Sequence, residues 1–186
     1  MEAVLFSGIV AEMGDERFNP DRVRVTKAGY LAKRYMGMEV LGEYARMEAG
    51  TYDSAIRYKG PEKIAIKNNY IEAVETTHFK RGEKFQDVET YLERYGYMAA
   101  LEWLAQFRFT KNKELELLAT VDYTALDLMR QGKDVTVEGI MAYLEKDKKW
   151  SKKLEKKADV FNEEGIRKAL KKLSVLFTET YNRVPK

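Results

Sequence analysis

Seven basic side chains lie between residues 57 and 84, and their type and spacing suggest binding to a polyanion. Lys63 and Lys67 are four residues apart, so a helix would place both on one face. Cations on one face can contact several phosphates of a duplex, and each contact adds salt-dependent affinity. The side chains that we predict to contact the DNA backbone are Arg57, Lys59, Lys63, Lys67, Lys80, Arg81 and Lys84.

A second basic group surrounds Trp150. On a helix its lysines would form one cationic stripe, which would bind a phosphate backbone or an acidic partner with little sequence specificity. We expect Trp150 itself to be buried in the core. The predicted members of the stripe are Lys149, Lys152, Lys153 and Lys156. For both groups the alternative is a solvated charged surface, because carboxylates interleave with the cations of the first group and a charged face also aids solubility.

Residues with catalytic potential are few. The single histidine, His78, lies beside basic residues in a predicted hairpin, and a general base needs a partner that orients it. The chain has no cysteine, which excludes thiolate zinc sites and cysteine nucleophiles. Gly37 and Gly42 have the spacing of a phosphate-binding loop, but Glu43 stands where that loop needs lysine. We therefore predict a non-enzymatic protein without metal or cofactor.

Composition supports a folded, highly charged chain. Of the 186 residues, 45% are hydrophobic and 34% are charged, as in globular domains. Residues 87–145 hold 6 basic and 11 acidic residues, for a net −5, whereas residues 146–172 hold 11 and 5, for a net +6. No apolar run approaches the roughly 18 residues of a membrane span, and the acidic start is unlike a signal peptide. We expect a cytoplasmic location.

Periodicity predicts the elements that position these side chains. Helical spacing, caps and glycine stops predict helices in both halves, and alternation over residues 70–86 predicts a hairpin. Pro61 suggests a break or a helix start. The expected fold is mainly α: a winged-helix-like part (1–86) with one small β-hairpin, packed as one unit on a helical bundle (87–186). The predicted helices are 3–14, 26–37, 38–50, a segment towards 68, 87–109, 112–132, 136–146 and 161–182.

The stretch YARMEAGTYDSAIRY, residues 44–58, resembles a short family signature, Arg-x-x-Ala-Gly-Pro-Tyr-Asp. That signature occurs in winged-helix-like modules of SocA/Panacea-type antitoxins and of prokaryotic restriction proteins, including type I specificity subunits. Thr51 stands where the signature has proline. The helical segment ELELLATVDYTALDLMRQGKDVTVEGI is also similar to the tail of such regions. The matching signature residues are Arg46, Ala49, Gly50, Tyr52 and Asp53.

The resemblance implies a module that binds double-stranded DNA and interacts with proteins in a restriction, defence or toxin–antitoxin system. It implies no covalent chemistry. The alternative is a purely protein-binding adaptor, antitoxin-like neutraliser or inhibitor, in which the acidic segment 87–145 docks on a basic partner.

Overall fold

The computed structural model describes residues 1–37, 45–47, 50–52, 60–148 and 150–182. The predicted fold class is confirmed at the level of a mainly α-helical chain with a small antiparallel hairpin. The described elements of the first half are α1 (Glu2–Met13), α2 (Arg22–Met36), β1 (Ala45–Met47), β2 (Gly50–Tyr52), α3 (Pro61–Lys67), β3 (Ile71–Val74), β4 (His78–Arg81), α4 (Phe85–Arg94), α5 (Met98–Leu104) and a 3-10 turn (Ala105–Phe107). Those of the second half are α6 (Asn112–Arg130), α7 (Val137–Lys146), α8 (Ser151–Lys156), α9 (Glu163–Leu176) and α10 (Thr178–Tyr181).

The chain divides into two compact units. One comprises residues 1–45 and 52–112, and the other comprises residues 46–51 and 113–186. The sequence-based division, after residue 86, falls within the first turn of α4. In the structure α4 and α5 pack against α1, so both helices belong to the first unit.

Helix α1 is the centre of the first unit. Leu5, Ile9 and Met13 are wholly buried, and six further residues of α1 are buried as well, Phe6 and Val10 among them. The helix packs against α2, α3, α4, α5 and β4. A helix enclosed on all sides can be apolar around its whole circumference, which explains the run AVLFSGIV.

The segment before α2 adds a third extended strand-like piece to the hairpin. Asp21 forms an isolated antiparallel bridge with His78. The Arg22 amide donates to the Thr77 carbonyl at 2.8 Å, and the Phe79 amide donates to the Pro20 carbonyl at 3.0 Å. The described order is therefore α1, bridging segment, α2, β1, β2, α3 and the β3–β4 hairpin.

The start of α2 differs from the prediction. Thr26 was expected to cap the helix, but Asp21 does so, and its carboxylate accepts from the Arg24 amide at 2.8 Å. Thr26 lies one turn inside, where its hydroxyl donates to the Arg22 carbonyl. Aspartate is as good a cap as threonine, and the bridge to the hairpin holds it in place. The predicted stop at Gly37 is confirmed, with φ 64°.

Three predicted helices need correction. The one expected over residues 161–182 begins at Glu163 and is broken at Phe177 into α9 and α10. The helix expected over residues 38–50 is contradicted in its described part, because β1 and β2 pair with each other there. The helix expected over residues 87–109 is broken into α4 and α5. Gly96 adopts φ 73°, and the Tyr97 amide donates back to the Leu92 carbonyl at 2.9 Å. This is the glycine-dependent closure of a helix end, which an uninterrupted helix would not permit.

The second unit follows the predicted caps closely. Thr136 accepts from the Gly139 amide at the start of α7, and Asn162 accepts from the Gly165 amide at the start of α9. Gly132 ends α6 with φ 67°. Tyr181 on α10 donates to the buried Asp122 carboxylate of α6 at 2.9 Å, which anchors the last described helix. Among the described residues no helix is both long and apolar enough to cross a membrane.

Candidate nucleic-acid interface

Helix α3 presents one basic face. It begins at Pro61, as the sequence indicated, because proline fits the first helical position. Pro61, Glu62 and Ala65 are buried, and α3 packs on α1. The outer face of α3 is formed by the exposed side chains that lie three and four residues apart, namely Lys63, Ile64, Lys67 and Asn68.

A buried ion pair fixes the orientation of α3. The Arg22 guanidinium donates to both carboxylate oxygens of Glu62, each at 2.8 Å, and also to the Thr76 carbonyl at 3.2 Å. A bidentate arginine–carboxylate pair constrains geometry more strongly than a single contact. Glu62, which the sequence suggested as an acid diluting the basic face, is thus turned inward and neutralised.

The end of α3 lies directly against the base of the hairpin. The Lys84 amide donates to the Asn69 carbonyl and the Gly82 amide donates to the Tyr70 carbonyl, both at 2.9 Å. A Cβ at Gly82 would lie 2.3 Å from the Asn69 carbonyl oxygen, so only glycine permits this approach. Lys67 and Lys84 are therefore carried by two segments that are hydrogen-bonded to each other.

The predicted cations of this region differ in what they contact. The ammonium groups of Lys63, Lys67 and Lys84 form no ion pair with any residue that the structure describes. Arg81 stacks its guanidinium over Phe85 at 4.7 Å. Lys80 is paired with Glu72 across the hairpin at 2.8 Å. Arg57 and Lys59 lie outside the described residues.

The hairpin tip is acidic. Glu75 has a left-handed backbone, with φ 57°, and its side chain is 81% exposed. The nearest cationic candidate is His78, whose Nδ1 lies 3.9 Å from the Glu75 carboxylate and 3.2 Å from the Thr77 hydroxyl. His78 is a half-exposed hairpin residue, as predicted. The basic charge therefore lies at the base of the hairpin and on α3, and the tip would repel phosphates.

The predicted stripe near Trp150 needs correction at Lys153. Its side chain is 2% exposed, because α8 turns this residue inward. The Lys153 ammonium lies 2.9 Å from Glu116 Oε1 and 3.3 Å from the Thr120 hydroxyl, and Lys157 pairs with the other Glu116 oxygen. A buried, paired ammonium is withdrawn from any phosphate. Lys152 and Lys156 are exposed, whereas Lys149 lies outside the described residues.

Aromatic rings enclose the Lys153 ammonium. It lies 5.3 Å from the centre of the Phe161 ring and 5.8 Å from that of Trp150, which is fully buried, as predicted. Burial penalises the charged form and lowers the pKa of Lys153 to about 8, although Glu116 opposes this shift. We call Lys153, Glu116 and Lys157 the Lys153 cluster.

The described residues also include scattered carboxylates and a cleft with a polar lining. No group of three or more histidine, aspartate or glutamate side chains among them has the geometry to hold a metal ion. A cleft of about 510 Å³ lies between the end of α1 and β4, and Asp15, Arg81 and Arg108 line it. Arg108 is occupied there, since it donates to the Glu12 carbonyl at 2.7 Å and to the Glu12 carboxylate.

Sequence reasoning missed Ile64. The side chain is 47% exposed between Lys63 and Lys67. No sequence signal marked it as exposed, because a position three residues after the buried Pro61 falls near the buried face of a helix. Comparison of the chain with protein-family models, curated proteins and solved structures finds no match in any of the three.

Proposed function

We propose that this protein is a non-enzymatic module that binds double-stranded DNA through the outer face of α3 and the base of the hairpin. The observation that carries the proposal is that Lys63, Lys67 and Lys84 form no ion pair with a described residue and lie on segments held together by the Asn69–Lys84 hydrogen bond. Exposed cations that no described carboxylate occupies can contact phosphates, and each phosphate contact releases counterions.

The resemblance of residues 44–58 to restriction and antitoxin modules supplies a biological setting. In that setting the module would locate a protein partner of a restriction, defence or toxin–antitoxin system on DNA. The order of α2, α3 and the hairpin supports the winged-helix-like interpretation on which this setting depends.

A second candidate is a purely protein-binding adaptor, antitoxin-like neutraliser or inhibitor. One observation favours it: Tyr91 and Tyr95 of α4 are exposed beside Glu93, in the acidic segment 87–145. Exposed tyrosines are enriched at protein interfaces. The two candidates use different surfaces, so charge reversal on α3 separates them.

The test is fluorescence anisotropy with a labelled random-sequence duplex at about 50 mM and about 200 mM salt. With three to five phosphate contacts, the affinity should fall by roughly one to three orders of magnitude between these concentrations. Lys63→Glu with Lys67→Glu should weaken binding at least tenfold at the lower salt. Lys146→Glu with Lys171→Glu is the matched control, since it changes net charge equally on the other compact unit.

Two results would reject the DNA-binding proposal. One is the absence of binding at the lower salt, and the other is an equal loss of affinity in the test and control variants, which would indicate a net-charge effect. In either case the exposed tyrosines of α4 become the surface to pursue, by capture of a protein partner.

A further inference from the structure

The outer face of α3 combines an apolar side chain with cations. Ile64 is 47% exposed, whereas Ala65 is wholly buried and Ile66 half-buried on the side that packs inward. Ile64 therefore leaves nearly half of its surface open to solvent. Lys63 and Lys67 flank it, and neither forms an ion pair with a described residue.

This combination favours a particular kind of partner. A protein groove for an apolar side chain would gain from apolar neighbours, but here the neighbours are ammonium groups that need anions. The major groove of DNA has both features: phosphates line its edges, and the thymine C5-methyl group is an apolar spot on its floor. The ammonium groups of this face and the phosphates of DNA have complementary charges, which favours a duplex as the binding partner.

Asn68 is less suited to reading a base. Its amide nitrogen already donates to the Ile64 carbonyl at 2.9 Å, in the last turn of α3. A bidentate contact to adenine requires both the amide nitrogen and the amide oxygen. Among the exposed side chains of this face, Ile64 is the apolar one, and contact with a thymine methyl group is the base readout that an apolar side chain offers.

We propose that Ile64 contacts a thymine methyl group in the major groove, so that the protein prefers duplexes with thymine under α3. The inference rests on the proposed DNA-binding function and adds sequence preference to it. Lys63 and Lys67 would hold the helix at the groove edges, and the Glu62–Arg22 pair would keep Ile64 directed outward.

The test compares a duplex of alternating A·T pairs with the same duplex in which deoxyuridine replaces every thymine. The replacement removes only the C5-methyl groups, and alternation presents thymine in any register. Anisotropy titrations should show about three- to fivefold tighter binding to the thymine duplex, the effect of burying one methyl group. Ile64→Ala should abolish this preference, so that the ratio of the two affinities falls to about one. Val175→Ala, at a 75% exposed residue of the other unit, is the control.

The outcomes separate the two proposals. Salt-dependent binding with equal affinity for both duplexes would overturn the role of Ile64 and leave the DNA-binding function standing. Equal weakening of both duplexes by Ile64→Ala would also overturn methyl recognition, because Ile64 would then support binding in general. Failure of the original protein to bind either duplex at low salt would reject the DNA-binding function itself.

Discussion

Two lysine-rich helices of this protein use the same side chain in opposite ways. On α3, Lys63 and Lys67 are exposed and unpaired among the described residues, whereas on α8 Lys153 is buried against Glu116. Local sequence does not separate them, since both helices are short and mix lysine with glutamate and apolar residues. The role of a lysine therefore depends on which elements pack against its helix.

Charge reversal in each helix tests this difference most directly. Lys153→Glu places two carboxylates together in a buried site and should lower the free energy of unfolding by about 3 to 5 kcal/mol. Lys63→Glu, on an exposed face, should change it by less than about 0.5 kcal/mol. Urea unfolding followed by circular dichroism measures both. Similar losses in the two variants would show that Lys153 is not buried as described.

The closeness of α3 and the hairpin depends on Gly82. Gly82→Ala should cost about 1 to 3 kcal/mol, because the new Cβ would lie 2.3 Å from a backbone oxygen that cannot move freely. DNA binding should weaken as well, since Lys84 would shift away from Lys67. Gly139→Ala should destabilise the protein less, because a Cβ there would lie 3.2 Å from its nearest neighbour, the Thr136 hydroxyl. Thermal unfolding and anisotropy on both variants test the prediction, and an unchanged Gly82→Ala protein would contradict it.

The Lys153 cluster should also give the second unit a characteristic pH dependence. The folded-state pKa of Lys153, about 8, lies below its ordinary value of 10.5, so the unfolded chain holds more protons between these values. The contribution of Lys153 to the free energy of unfolding should therefore be constant below about pH 7 and rise by about 2 kcal/mol towards pH 9.5.

Tyrosines and other lysines also titrate in this range. The measurement therefore compares the pH dependence of the original protein with that of a variant that lacks Lys153. Urea unfolding of the original protein and of Lys153→Met is compared at pH 7 and pH 9.5. The variant keeps Lys157 as a partner for Glu116 and should lack the rise. An identical pH dependence in both proteins would rule out the lowered pKa of Lys153.

The smallest expected effect concerns the acidic hairpin tip. Glu75→Lys should strengthen DNA binding by about two- to fivefold at 50 mM salt, because it replaces repulsion of phosphates by attraction. Glu145→Lys, an exposed residue of α7, is the control for net charge. Equal gains in both variants would indicate that the hairpin tip lies far from the duplex.

Much of the fold was predictable because its signals are local. Thr136 and Asn162 cap their helices through amides three residues away, and Gly132 ends α6 through contacts within one turn. The hairpin follows from alternation over a few residues. The same local reasoning failed at Gly96, where helical periodicity on both sides concealed a glycine stop that the sequence did contain.

The candidate site was only partly predictable. Its cations are visible as residues, and their contact with DNA stays a prediction. The neutralisation of Glu62 by Arg22 joins residues 40 positions apart, and the contact of Lys153 with Thr120 spans 33. No periodicity within a helix reports such pairs.

From the sequence alone, the helix ends at Gly37, Gly132, Thr136 and Asn162 could be predicted, because caps and turns act over three or four residues. The tertiary structure alone decided which lysines stay in water and which are buried against a carboxylate. The physical reason is that the desolvation of an ammonium group, and the ion pair that compensates for it, depend on side chains brought together only when the chain is packed.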